Sequence, residues 1–176
     1  RIIGAVLVGS ALSLSGAAYQ GVFKNPLVAP DLLGVSSGAC VGASVAILLH
    51  LNSFGVQAMA FVAGILAVGL TLFIPRLIKN TNMTMLVLSG IIVKGIMDSV
   101  MGIIKYVADP ETELQSITYW QLGSLTKVLP KDLFTVGPVI VAASVIIFLL
   151  RWRINILSLG DREAKTLGVS VTIVRN

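Results

Sequence analysis

The sequence predicts an all-α integral membrane protein, a polytopic bundle with about five transmembrane helices. Three observations carry this. Of 176 residues, 56% are hydrophobic and only 12% are charged, with a mean hydropathy of +0.94. A soluble domain carries roughly 25% charged residues, so a globular surface of this size would be too poorly solvated. The apolar residues also come in long continuous runs, where strands would alternate and be shorter. Turn and cap chemistry separates the runs. Disorder, coiled coil and nucleic-acid binding are poor fits despite a net charge of +5 and a pI near 9.7. The length allows one domain at most, and a bilayer is its natural solvent.

A helix crossing a hydrocarbon core of about 30 Å needs roughly 20 mostly apolar residues. Five windows qualify: 2–23, 35–51, 56–74, 83–107 and 133–150. The first has the basic start and small residues of a signal peptide, yet the same texture recurs four more times, which makes it a span. Asn25-Pro26 and Pro30-Asp31 break the chain before the second window, and Asn52-Ser53-Phe54-Gly55 divides the second from the third. Residues 75–82 separate the third from the fourth. The long connection 105–132 starts acidic and then carries Tyr119 and Trp120, which suit a short surface or re-entrant helix at the membrane interface. The chain starts at Arg1 rather than Met and stops at Asn176, just after an amphipathic stretch begins. The expectation is therefore an internal piece of a longer membrane protein.

Charge orients the spans. Connections after the first, third and fifth windows hold Lys24, Arg76, Lys79, Arg151, Arg153, Arg162, Lys165 and Arg175 against Asp31, Asp161 and Glu163. On the opposite side Arg1, Lys105, Lys127 and Lys131 are cancelled by Asp109, Glu111, Glu113 and Asp132. The basic excess makes the first group cytoplasmic. Gly34, Gly38 and Gly42 recur every four residues, and Gly90 and Gly95 mark the fourth window. Such positions allow close helix–helix approach, so they argue for a compact bundle and not for a substrate.

Lys94 and Asp98 are the only charges well inside a window, four residues apart on one helical face where they can pair. Intramembrane charges face a bundle interior or a water-filled cavity. With Ser89 and Ser99 they make the fourth helix the candidate lining of a polar pathway. Asp161 can cap a short cytoplasmic helix that Gly168 ends, charged on one side with Ala164 and Leu167 on another. With few basic residues it suits a protein groove better than lipid headgroups. Enzyme chemistry finds little support. No phosphate-cradling G-x-x-x-x-G-K-[ST] occurs, and the lone Cys40 and lone His50 exclude clustered metal sites. Ser36 and Ser37 have His50 as their only base, roughly 20 Å along the same predicted helix.

The run 8–21, followed by Asn25-Pro26-Leu27-Val28-Ala29-Pro30-Asp31-Leu32-Leu33-Gly34-Val35-Ser36-Ser37-Gly38-Ala39, closely resembles the FecCD-type permeases. These are the membrane subunits of ABC importers for iron–siderophores, haem and vitamin B12. Trp120-Gln121-Leu122-Gly123-Ser124-Leu125 and the segment 159–169 match the same family in the same order. Val28 stands where Ala is usual.

The resemblance implies a type II importer permease of ten helices, of which the five windows would be the second to sixth. It implies a multi-pass subunit in the bacterial cytoplasmic (inner) membrane, paired as a homodimer or heterodimer around a central pathway. ABC ATPase subunits would sit on the cytoplasmic face and a periplasmic or lipoprotein binding protein would deliver substrate. ATP and Mg would be bound by the ATPase; this chain would bind no cofactor and do no bond-making chemistry. Gly160, Asp161, Arg162, Glu163, Ala164, Leu167 and Gly168 would form the coupling helix docked in the ATPase groove. Arg1 matches the last arginine of an R-x-P-R motif and becomes a candidate for docking the binding protein. A different class stays open beside this one: a gradient-driven secondary transporter or channel half using Lys94 and Asp98.

Overall fold

A computed structural model describes residues 1–25, 28–79, 82–125, 128 and 130–159, with side chains placed to 156. Among the described residues six helices follow in order: α1 Ile2–Phe23, α2 Val35–Leu48, α3 Ser53–Leu77, α4 Met83–Val107, α5 Glu113–Leu122 and α6 Pro130–Leu159. A 3₁₀ turn, Pro30–Leu33, precedes α2. By length and composition α1, α3, α4 and most of α6 can each cross a membrane. The second window is realised differently: α2 has 14 residues, about 21 Å of helix, shorter than a hydrocarbon core. It begins only after Gly34 and ends where Leu49 leaves the helix and His50 turns left-handed at φ 50°.

The chain divides into two compact units, Arg1–Pro30 with Leu125–Asn176, and Asp31–Ser124. In the first, α1 and α6 pack side by side. Gly4 lies against Leu133, Leu7 against Gly137 and Gly21 against Ile154, so the two helices run parallel. Lys24 on one and Arg151 and Arg153 on the other therefore finish at the same end. The small residues Ala17, Ala18 and Gly21 leave a groove of about 420 Å³ there, facing Phe148 and Arg151 of α6. The Arg151 guanidinium stacks 4.0 Å from the centre of the Phe148 ring.

The second unit is built on close approach of α2 to α3. A methyl at Gly38 would sit 2.5 Å from the Ala67 methyl, and one at Gly42 would collide with the Met59 carbonyl. Ala43 and Ala46 of α2 and Ala67 of α3 are fully buried. Without a hydrophobic drive between helices in lipid, such small-residue contact is what allows close dispersion packing. Further along, Met101, Ile104, Ala108 and Ile117 form a cluster joining α4 and α5 to Val41, Val45 and Leu48 of α2. The Ser44 hydroxyl donates to the Met101 sulfur at 3.4 Å.

α3 starts at Asn52, whose side chain accepts from the Gly55 N–H at 2.8 Å, a cap that satisfies one free helix donor. α5 starts after a tight acidic turn in which Asp109 Oδ1 accepts from the Glu111 N–H, the Thr112 N–H and the Thr112 hydroxyl, each at 3.0 Å. These bonds, the Thr112 hydroxyl first, hold the Asp109 carboxyl below the usual carboxylate range. Tyr119 and Trp120 lie exposed on α5.

Candidate functional site

The site forms where the Pro30–Leu33 turn meets α4. Pro30 pre-sets the first φ of the turn, and Gly34 closes it in the left-handed region at φ 71°, its N–H donating to the Asp31 carbonyl at 3.1 Å. Backbone that is neither helix nor strand survives at membrane depth only where protein satisfies it. Here the Thr71 hydroxyl of α3 donates to the Leu33 carbonyl at 3.0 Å. The Leu32 carbonyl packs so tightly over Gly90 that any side chain there would collide with it.

This seating places Asp31 beside α4. Lys94 Nζ donates to Asp31 Oδ2 at 2.6 Å, both side chains being 44% exposed. Asp31 Oδ1 is buried and accepts no hydrogen bond among the described residues, so the pair is held through one oxygen. Lys94 lies near the midpoint of the 25-residue α4. An ion pair at that depth must face protein or water rather than lipid.

The expected Lys94–Asp98 pair is thus corrected. Lys94 spans to the turn, and Asp98 is exposed one helical turn further along α4. Asp31, first counted as a cytoplasmic loop charge, belongs to this mid-helix pair, and its removal from that count enlarges the basic excess. Asp98 and Ser99 are both exposed, the Ser99 hydroxyl bonding back to the Gly95 carbonyl at 2.8 Å. Ser89 does not join them: it is 1% exposed, its hydroxyl 2.8 Å from the carbonyls of Thr71 and Leu86, where it ties α4 to α3. Arg1 is exposed ahead of α1, its carbonyl accepting from the Ala5 N–H. Gly160, Asp161, Arg162, Glu163, Ala164, Leu167 and Gly168 lie outside the described residues.

Asp31 was missed as a site residue because its partner is 63 positions away and nothing local marks the pairing. The signal available was the motif itself, an acidic residue between a proline and a glycine with no local cation.

A family model, the FecCD transport family, matches residues 1–176. The chain belongs to the FecCD transport family. It is 35% identical over 99% of its length to the molybdate import system permease protein MolB of Haemophilus influenzae, covering 52% of that protein. It is 35% identical over 97% of its length to the hemin transport system permease protein HmuU of Yersinia pestis, again covering 52%. Among solved structures it superposes with a TM-score of 0.90, at 34% identity, on an inward-facing transporter assigned to the metal-chelate ABC type. That match covers 99% of this chain and 56% of the other. This FecCD-family chain therefore spans about half the length of the relatives it matches. The all-α reading and the family resemblance hold.

Proposed function

We propose that this chain is part of the membrane-spanning permease subunit of an ATP-binding-cassette importer. The observation that carries the reading is the family match over every residue of the chain. Its cargo would be an iron–siderophore or related iron chelate, haem or cobalamin, moved across the bacterial cytoplasmic membrane by alternating access. The relatives act on different cargoes, molybdate and hemin among them, and so leave the cargo of this subunit to experiment.

In this reading a separate ATPase hydrolyses ATP, and its closure moves the coupling segment Gly160 to Gly168, with Asp161 and Arg162 at the contact. Lys94, Asp98 and Ser99 face the pathway, since charges near the middle of α4 need protein or water beside them. A second permease subunit completes the pathway, and a binding protein docks on the opposite face near Arg1. The parallel course of α1 and α6, which gathers Lys24, Arg151 and Arg153 at one end, supports the cytoplasmic placement of the segment after α6.

The test is co-purification of the full-length subunit from membranes, wild type beside an Asp161→Lys/Arg162→Glu double variant. The reading expects an ATPase bound to the wild type and lost, with its coupled ATP hydrolysis, from an inserted variant. An ATPase retained by both would move the main contact away from Asp161 and Arg162. No ATPase with either, the subunit being intact, would overturn the importer reading in favour of gradient-driven transport.

A further inference from the structure

α4 carries one cation and one carboxylate near its middle, and the turn brings a second carboxylate to the same cation. Three charges thus share a small region with a net charge of −1. Lys94 brings a single positive charge to the two carboxylates and is hydrogen-bonded to one of them. With Lys94 on Asp31, as here, Asp98 stands exposed, within Coulomb reach of Lys94 but in no salt bridge among the described residues. With Lys94 on Asp98, a neighbour at i+4 within reach of a lysine side chain, Asp31 would be the one left charged.

Neither arrangement dominates by construction. The present pair uses a single oxygen of Asp31, leaves Oδ1 without a hydrogen bond, and exposes both side chains to 44%, so nothing walls Lys94 in. The alternative has a lysine preceding its acid along the helix, the weaker order for an i, i+4 pair. The turn does not depend on Lys94 alone either. The bond from the Thr71 hydroxyl to Leu33 and the Leu32–Gly90 contact hold its far end, while Asp31 is fastened at the near end only by Lys94 among the described residues.

We propose that Lys94 exchanges between Asp31 and Asp98, fastening the start of the Pro30–Leu33 turn to α4 in one state and releasing it in the other. The inference rests on the alternating-access reading for its purpose: the exchange would let α4 shift against the turn and α2 while the cation keeps a partner in both states. The exchange itself is a property of this chain's three side chains.

The experiment uses the full-length subunit in lipid discs, without ATPase, in a Cys40→Ala background. Spin labels at Ser36→Cys on the first turn of α2 and Ile96→Cys on α4 report the distance between the two elements. The expected result is two distance populations in the wild type. Asp98→Asn, at an exposed position, should leave only the shorter one; Asp31→Asn should leave only the longer. Lys94→Met should favour the longer, since the start of the turn then loses its fastening to α4. Identical distributions in wild type and Asp98→Asn would overturn the exchange, even if Asp31→Asn fails to fold. Because no ATPase is present, loss of the importer reading in the co-purification test leaves this result standing on its own.

Discussion

Lys94 and Asp31, 63 positions apart, meet at 2.6 Å and join the turn before α2 to the middle of α4. The pair is half exposed, so solvent discounts its Coulomb energy, yet Asp31 without Lys94 would be an unpaired charge near the middle of a span, and Lys94 without Asp31 would have only Asp98. Removing one member should therefore cost more than removing both. Lys94→Met and Asp31→Asn are each expected to lower stability by about 1–2 kcal/mol, and the Lys94→Met/Asp31→Asn double variant by less than their sum. Thermal unfolding of the full-length subunit in detergent measures this. Additive losses would mean that the two groups do not interact.

The glycines of α4 separate two roles that look alike in sequence. Gly90 lies under the Leu32 carbonyl, where a methyl has no room and the obstacle is backbone. Gly95 has nothing within 4 Å of the position a methyl would take. Gly90→Ala should destabilise by about 1–3 kcal/mol through overpacking. Gly95→Ala should be neutral or gain up to about 1 kcal/mol from helix propensity. Melting temperatures of the two variants, compared under one condition, decide the assignment; equal effects would refute it.

What the sequence made legible was whatever depends on local hydropathy and caps. The windows 2–23 and 83–107 coincide with α1 and α4 because a proline or asparagine region adjoins a sharp hydropathy drop. The window 35–51 runs three residues past α2, since Leu49, His50 and Leu51 continue the composition while His50 turns the backbone left-handed. The window 56–74 stops short of α3 at both ends. Asn52 caps the helix four residues earlier, and Pro75 is accommodated inside its last turn instead of ending it. Long-range pairing was not legible. The i, i+4 spacing pointed Lys94 at Asp98, and only the seating of Leu32 on Gly90 brings Asp31 close enough to take its place. Ser89 likewise looked like a pathway hydroxyl until its burial against Thr71 was visible.

Thr71 is fully buried, and its hydroxyl is the donor to the Leu33 carbonyl. Valine would fill the same space but leave that buried carbonyl without this bond, at a cost of about 1–3 kcal/mol. Ser89→Ala removes a hydroxyl whose carbonyl neighbours, Thr71 and Leu86, lie in helices, so it should cost about 1 kcal/mol or less. Thr71→Val is therefore the more damaging of the two. Hydrogen exchange at Gly34, whose N–H closes the turn, should accelerate in Thr71→Val and stay near wild type in Ser89→Ala. The reverse order would show that the turn is held by something other than Thr71.

The acidic turn between α4 and α5 carries a pH dependence whose sign follows from its bonds. Asp109 accepts three hydrogen bonds that favour its charged form and lower its pKa in the folded state. A carboxyl with a depressed folded pKa contributes stability that is fully present above its ordinary value. That contribution is lost as pH falls through the depressed value. Glu111 and Glu113 are the other carboxyls in the turn: Glu113 Oε2 accepts from the Asp109 N–H at 2.9 Å, and its Oε1 lies 3.4 Å from His50 Nε2. An Asp109→Asn variant separates Asp109 from both, because it keeps an acceptor for the Glu111 and Thr112 N–H groups but cannot titrate. Protection of the Glu111 and Thr112 amides should fall with acid in the wild type, and the variant should lack the part of that fall that Asp109 causes. Carbon-13 titration of the Asp109 carboxyl in the full-length subunit gives the direct reading, and a value at or above the ordinary carboxylate range would refute the assignment.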